Sequence, residues 1–327
     1  IMRLSLVLLL FINSIIYGQI DLSVKYSKSI TSNELKELLY VYASDYFEGR
    51  DTGERGQKIA VDFLSNYYKK QNIDPAIDTN NYFQEMILKI RDKNVETENV
   101  VAIIPGSETP NEFIVISAHL DHVGVKNGEI YNGADDDGSG NVAMLEIAEA
   151  FQIAVNENNG PKRSIVFLHV TGEEKGLLGS RYYTENPIYP LEKTVANLNI
   201  DMIGRLDPKR TDKDPNYIYL IGSDKLSVEL HELSENVNRK YTNLTLDYTF
   251  NADNDPNRFY YRSDHYNFAK NNIPVIFYFN GTHEDYHQPT DTADKINYDI
   301  LEKRTKLIFH TAWELANMPK RIQLNTN

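Results

Sequence analysis

The 327-residue chain contains no cysteine. That excludes disulfides, thiolate metal ligands and anchoring through a lipidated cysteine, so any metal must be held by histidine, aspartate or glutamate. A basic stripe is also missing. Net charge is −13 and the pI is near 5.1, which excludes the electrostatic footprint of a nucleic-acid binder. Tryptophan is reduced to one residue against 22 tyrosines, so the amphipathic aromatic surface falls to tyrosine, which suits half-exposed grooves. Internal repeats and long low-complexity linkers are lacking too. The one apolar leader-like run, Leu4–Ile12 after Arg3, gives way to small and polar residues ending at Gly18. It is too short and wrongly flanked for a membrane span and has the pattern of a secretory signal peptide over residues 1–18. This predicts an exported protein, periplasmic or secreted, with no membrane span once the leader is cleaved.

What the chain does have is alternation. Residues 30–72 carry apolar positions at helical spacing, with Thr31 and Glu34 placed for a capping box and a Gly-rich turn, FEGRDTGERG, between two helices. After Asp92 the pattern changes. Short β-branched and aromatic runs at Val95–Gly106, Glu112–His122, Ser164–Val170, Val195–Gly204, Tyr217–Gly222 and Ile273–Gly281 read as strands. Ser139–Val155 and Asp299–Ala316 read as amphipathic helices. The alternation implies an α/β fold, a largely parallel sheet with helices on both faces. The expected organisation is a leader at 1–18, an N-terminal helical segment over 19–92 packed on the main domain, and that domain over 93–320. The Asp- and Asn-rich stretch Phe250–Phe268 is a candidate substrate loop or hard-cation site; because it lacks the spacing of a calcium loop, a solvated loop is the preferred reading over a calcium site.

The strand ends carry the chemistry. The second strand ends in SAHLDHVG with His119, Asp121 and His122, and is followed by YNGADDDGSG with Asp135, Asp136 and Asp137. The third runs into TGEEKGLLGS, where Glu173 and Glu174 stand side by side. Glu-Glu pairs are common on solvated helix faces, but this pair follows an apolar strand, where ligands of open α/β sheets bind. Asp201 ends the fourth strand, and GTHEDYHQPTDT with His283, Glu284, Asp285, Tyr286, His287 and Asp291 follows the last. Imidazole with carboxylate suits zinc. A two-metal site needs one bridging carboxylate, two histidines and two further carboxylates, and these strand ends supply that set with a glutamate to spare.

The order HxD, GADDDGSG, GEExGLLGS, NxDMIG and DYHxPxDT resembles the M28 family of zinc aminopeptidases, which include exported bacterial enzymes, over roughly residues 40–318. The resemblance implies a three-layer α/β/α fold with a mostly parallel mixed central sheet and a peptidase domain that holds two Zn2+ ions and acts on peptide substrates. It implies that His119, Asp136, Glu174, Asp201 and His287 are the metal ligands, with Asp136 bridging; Asp135 and Asp137 are the alternatives one position to either side. It also implies a cis peptide after the bridging aspartate. Glu173 is then the general base acting on a water shared by the two ions, and Tyr286 is a candidate donor to the tetrahedral oxyanion, with a packed aromatic as the alternative. Asp121 lies two residues after His119, on the same side of a strand, and is expected to accept the other N–H of its imidazole; Asp291 is a candidate for the same role at His287. His283 and His265 are near-site candidates. His122, His169, His231 and His310 read as structural. Two alternatives remain: a carboxypeptidase or dipeptidase of the same family, with Arg258 and Arg262 the candidate cations for a carboxypeptidase, and a single-zinc glutaminyl cyclase, which is built on the same fold. A receptor or scaffold relative would not need to keep Glu173 or the bridging aspartate.

Overall fold

The structure, a computed structural model, describes residues 21–326. The leader read at residues 1–18 lies outside them. Among the described residues three helices come first: α1 (Leu22–Tyr26), α2 (Ser32–Tyr42) and α3 (Arg55–Gln71). Thr31 caps α2, accepting the Glu34 N–H while its hydroxyl meets the Glu34 carboxylate. The strands follow as β1 (Asp74–Pro75), β2 (Phe83–Ile90), β3 (Lys93–Ile104), β4 (Thr109–His119) and a small hairpin, β5 (Gly124–Lys126) with β6 (Glu129–Tyr131). Helix α4 (Gly140–Asn156) leads to β7 (Arg163–Val170), α5 (Leu178–Glu185), β8 (Thr194–Ile200) and β9 (Tyr217–Ile221). Then come α6 (Val228–Val237), β10 (Thr245–Asp247), α7 (His265–Ala269), β11 (Val275–Phe279) and α8 (Tyr298–Asn317).

Among the described residues, nine strands form one mixed sheet in the order β1-β3-β7-β4-β8-β11-β9-β10, with β2 paired to β3. Its centre, β7-β4-β8-β11, is parallel throughout, while β3 against β7 and β9 against β11 run antiparallel. β7, β8 and β11 are buried over their whole length and β4 from Phe113 onward, as strands covered on both faces must be. One face packs against α1 to α4, α6 and α8; the other carries the shorter α5 and α7, with Tyr183 and Phe268 lying over Val115, Val166 and Val275. The three layers are those the pattern implied. The expected boundary at 92/93 falls in the tight turn of the β2–β3 hairpin, so the segment before it supplies two strands as well as three helices. None of the described helices is long and apolar enough to cross a membrane.

The chain moves from β4 to β7 on one side and then to β8 on the other. The carboxyl ends of β7, β4, β8 and β11 therefore share one sheet edge, and the change of direction beside β4 opens a crevice there, where ligands of such sheets bind.

Candidate metal centre

His119 is the last residue of β4 and Asp201 follows β8 directly. The DDD turn lies in front of them, with a cis peptide between Asp136 and Asp137. Its three carboxylates have three destinations. Asp135 accepts the Gly204 N–H at 2.7 Å and faces His283 Nε2 at 3.1 Å. Asp137 accepts the N–H groups of His119 (3.2 Å), Met202 (3.1 Å) and Gly140 (3.0 Å), tying two strand ends to the start of α4. Asp136 alone points into the crevice.

Two donor groups meet at Asp136. In the first, its Oδ1 lies 3.1 Å from His119 Nε2, which lies 3.6 Å from Asp201 Oδ1. In the second, its Oδ2 lies 3.0 Å from His287 Nε2 and 3.7 Å from His122 Nδ1; Glu174 Oε1 is 3.1 Å and 2.9 Å from the same two nitrogens. Tetrahedral zinc with ligands at roughly 2.0–2.1 Å places its donors about 3.3–3.4 Å apart, and these separations bracket that spacing. Among the described residues, Asp136 Oδ2, Glu174 Oε1 and His122 Nδ1 are fully buried without a hydrogen-bond partner. Unpartnered buried polar atoms facing one point are what a cation would satisfy. The donor set fits zinc.

The electrostatics of the adjacent glutamates diverge. Burial pushes Glu174 up, but His122 and His287 outweigh it and bring the carboxyl down to about 2. Glu173 goes the other way: burial, with Asp201, Asp264 and Glu174 nearby, raises it well above the carboxylate range despite His119. Burial and the surrounding negative charge also distinguish His287, which Asp136 and Glu174 raise to about 10 against the pull of desolvation. A cation in the second group would replace the His287 proton.

Several residues differ from their expected contacts. The Asp121 carboxylate does not meet the His119 ring; the Asp121 main-chain carbonyl does, 3.0 Å from Nδ1. The chain has left the strand by then, so strand alternation no longer governs where the side chain points. That carboxylate instead accepts the Thr52 hydroxyl (2.8 Å) and the Glu173 N–H (3.1 Å). Asp291 is likewise not the partner of His287; it accepts the Asp135 and Asp136 N–H groups at 3.0 and 3.1 Å and so holds the DDD turn. His122, read as structural, lines the second donor group. His265 is buried against Phe277, and His283 faces Asp135 rather than either group. His169, His231 and His310 are bound by Tyr68 and Asn141, by Ser223 and by Ser23.

Arg50, from the FEGR turn, is a further organiser that sequence pattern did not assign. Fully buried, it donates to the carbonyls of Leu120 (3.0 Å), Asn132 (2.7 Å), Gly133 (2.9 Å) and Tyr42 (3.3 Å). It thereby clamps the segment after β4 to the one before Asp136. The preceding Gly49 has φ +65°, and a Cβ there would lie 2.4 Å from the Tyr131 carbonyl oxygen, so the turn needs glycine.

Beside the donors lies a pocket lined by Glu173, Met202, Phe259, Arg262, Phe277, Phe279, Thr282 and Tyr286. Tyr286 stacks on His287 at 4.0 Å and its hydroxyl is 3.5 Å from Arg262 Nη2. Arg258 packs over Tyr261 and is not part of this lining.

The sequence profile of peptidase family M28 matches residues 99–312. A probable zinc metalloprotease of Pyricularia oryzae is 27% identical over 268 residues, covering 70% of this chain and 52% of that protein. The chain spans about half or less of the length of such curated relatives. Among solved structures, the LapA aminopeptidase of Legionella pneumophila superposes with a TM-score of 0.69 at 23% identity, over 91% of this chain and 75% of that one. A glutaminyl cyclase of Porphyromonas gingivalis gives the same TM-score at 19% identity, over 86% and 97%. At these identities the likeness is one of fold.

Proposed function

This chain belongs to peptidase family M28, and on that premise we propose that it is a two-zinc exopeptidase releasing N-terminal residues from peptides. The observation that carries the proposal is the position of Asp136, which gives one oxygen to each donor group. His119 and Asp201 complete one group; Glu174 and His287 serve the other. Zinc bound there supplies Lewis acidity for the peptide carbonyl and lowers the pKa of a bound water to about 7.

Glu173 lines the same pocket and belongs to neither donor group. Its backbone N–H is held by Asp121, which sets the turn that presents the carboxylate. In the proposed reaction it accepts the proton of the attacking water and delivers it to the leaving amine, a role suited to a carboxylate of raised basicity. Tyr286 donates its hydroxyl to the developing oxyanion. Burial, with Asp136 and Glu174 nearby, holds that hydroxyl protonated far above neutral pH. Met202, Phe259, Phe277 and Phe279 line a recess that suits an apolar or aromatic N-terminal side chain. The surrounding carboxylates suit a free α-amino group. Among the described residues, Arg262 is the one arginine or lysine lining the pocket, and it supports the second reading, a carboxypeptidase. Export of the chain rests on the leader alone.

The test is metal content together with hydrolysis of aminoacyl arylamides and C-terminally free peptides, for the chain and for Glu173→Gln. The expected result is two zincs in both and cleavage of apolar aminoacyl arylamides by the unsubstituted chain only. Two zincs with release of C-terminal residues would select the carboxypeptidase. One zinc and cyclisation of N-terminal glutamine would select the cyclase.

A further inference from the structure

The two donor groups are unequal. Among the described residues, the one at the strand ends has three protein donors, His119, Asp136 and Asp201; the other has four, because His122 joins Asp136, Glu174 and His287. The family pattern assigns no metal to His122. We infer that His122 is a protein ligand of the second zinc, through Nδ1, and that it makes this position the tighter of the two. The inference rests on the two-zinc reading above.

Several independent features point to it. The ring is fully buried, and neither of its nitrogens has a hydrogen-bond partner among the described residues. An imidazole kept for packing alone would leave both nitrogens desolvated without return. Nδ1 faces two carboxylate oxygens, Glu174 Oε1 at 2.9 Å and Asp136 Oδ2 at 3.7 Å. Both oxygens are themselves without hydrogen-bond partners. The surroundings hold the ring in this direction. A Cβ on Gly133 would come within 2.5 Å of His122 Cδ2, so glycine there leaves room for the imidazole. The His122 N–H is bound by the Arg50 carbonyl at 3.2 Å, and the Arg50 guanidinium grips Leu120 two residues earlier. His122 and His287 approach Glu174 from two sides, their rings 5.6 Å apart and inclined at 69°.

Four protein donors complete a tetrahedral zinc shell, whereas three leave a position open for water or substrate. The chemical consequence is a division of labour. The His122 position holds its ion through turnover, and the strand-end position exchanges more readily and carries the more open coordination.

Zinc retention decides this. The purified full chain is loaded with excess zinc and challenged with chelators of graded affinity, and bound zinc is counted. The same is done for His122→Gln, His122→Asn and Asp201→Asn, with thermal melting of each metal-free chain to establish folding. The expected result is two zincs per chain, one of which resists a chelator that strips the other. The resistant ion weakens by about 100-fold or more in both His122 variants, as loss of a direct ligand should cost at least what loss of a supporting partner does. It persists in Asp201→Asn. An unchanged resistant ion in a folded His122 variant overturns the inference, as do two ions of equal affinity in the unsubstituted chain; neither result touches the peptidase reading. A chain that binds no zinc overturns both.

A second measurement needs no variant. Bound to cobalt, the unsubstituted chain should show hyperfine-shifted exchangeable N–H signals from three imidazoles. Two such signals mean that His122 stays off the metal and overturn the inference.

Discussion

The two donor groups sit side by side but are built differently. His119 and Asp201 stand at the ends of β4 and β8, where the sheet's hydrogen-bond ladder has already oriented them. Each also has a hydrogen-bonding brace: the nearby Asp121 carbonyl for His119 and, from 62 residues away in sequence, the Ser263 hydroxyl at 2.6 Å for Asp201. His122, Glu174 and His287 all lie beyond strand ends, in turns, and His287 holds a left-handed backbone, φ +55°. Such a conformation in a non-glycine residue costs about 1 kcal/mol or more and persists where its surroundings impose it. Contacts distant in sequence brace the neighbouring turns: Arg50 holds the segments flanking His122, and Asp291 holds the DDD turn. Strand ends position ligands cheaply; turns can bring more ligands to one point, but they need a scaffold of buried polar contacts to do it.

Asp136→Asn should abolish the contrast altogether, because the bridging carboxylate serves both groups. Metal content should fall and peptidase activity should drop by at least about 10^3-fold, the several kcal/mol that metal activation supplies. Retention of both ions and full activity would show that Asp136 is not the bridge. Glu173→Gln should sharpen it from the other side. Activity should fall by about 10^2- to 10^4-fold while both ions stay, since Glu173 belongs to neither group; loss of zinc in this variant would move Glu173 into the ligand set.

Arg50→Met tests the scaffold of the turn-built group. It leaves the buried Asn132 carbonyl without its donor, while Leu120 keeps the Tyr42 hydroxyl and Gly133 the Gly138 N–H, and should lower stability by about 1–3 kcal/mol in chemical denaturation. In the chain that remains folded, the His122-side ion should loosen first. If the strand-end ion loosens equally, the two positions share one scaffold.

The effect of pH follows from the same contrast. Without metal, Asp136 and Glu174 raise His287 to about 10 despite its burial. Burial also raises Asp264 to about 7 and Asp291 to about 6. Each of these groups binds protons more tightly folded than unfolded. Their stabilising protons are fully bound below the unfolded pKa values and are lost as pH rises through the folded ones. The metal-free chain should therefore lose stability as pH rises from about 6 to 10. Zinc binding, which displaces protons, should grow stronger over the same rise. The difference in Tm between zinc-loaded and stripped protein should widen from pH 6 to pH 9; a constant or narrowing difference would mean that His287 does not exchange its proton for metal. The smallest effect is expected from Ser263→Ala, about tenfold in the affinity of the strand-end ion alone, read by the same chelator challenge.

Much of this was legible in the residues. Apolar runs bounded by turn residues marked the central strands, and their ends displayed the imidazoles and carboxylates in chain order. His119 and Asp201 could be aimed from the strands that carry them, because a paired strand repeats every two residues and its last side chain inherits that direction. The choice of Asp136 among three aspartates, and of Glu174 over Glu173, came only by likeness to a family. Past His119 the repeat stops. Asp121 and His122 lie beyond the last ladder bond, and contacts with Thr52, Glu173 and Gly133, together with the Arg50 clamp, decide where they point. Asp291 was misassigned and Arg50 left unassigned for the same reason: their partners are main-chain groups of segments 70 to 156 residues away. Local periodicity determined which residues reach the sheet edge; only tertiary hydrogen bonding decided which of them face one another, because beyond the ladder the backbone dihedrals are set by distant neighbours.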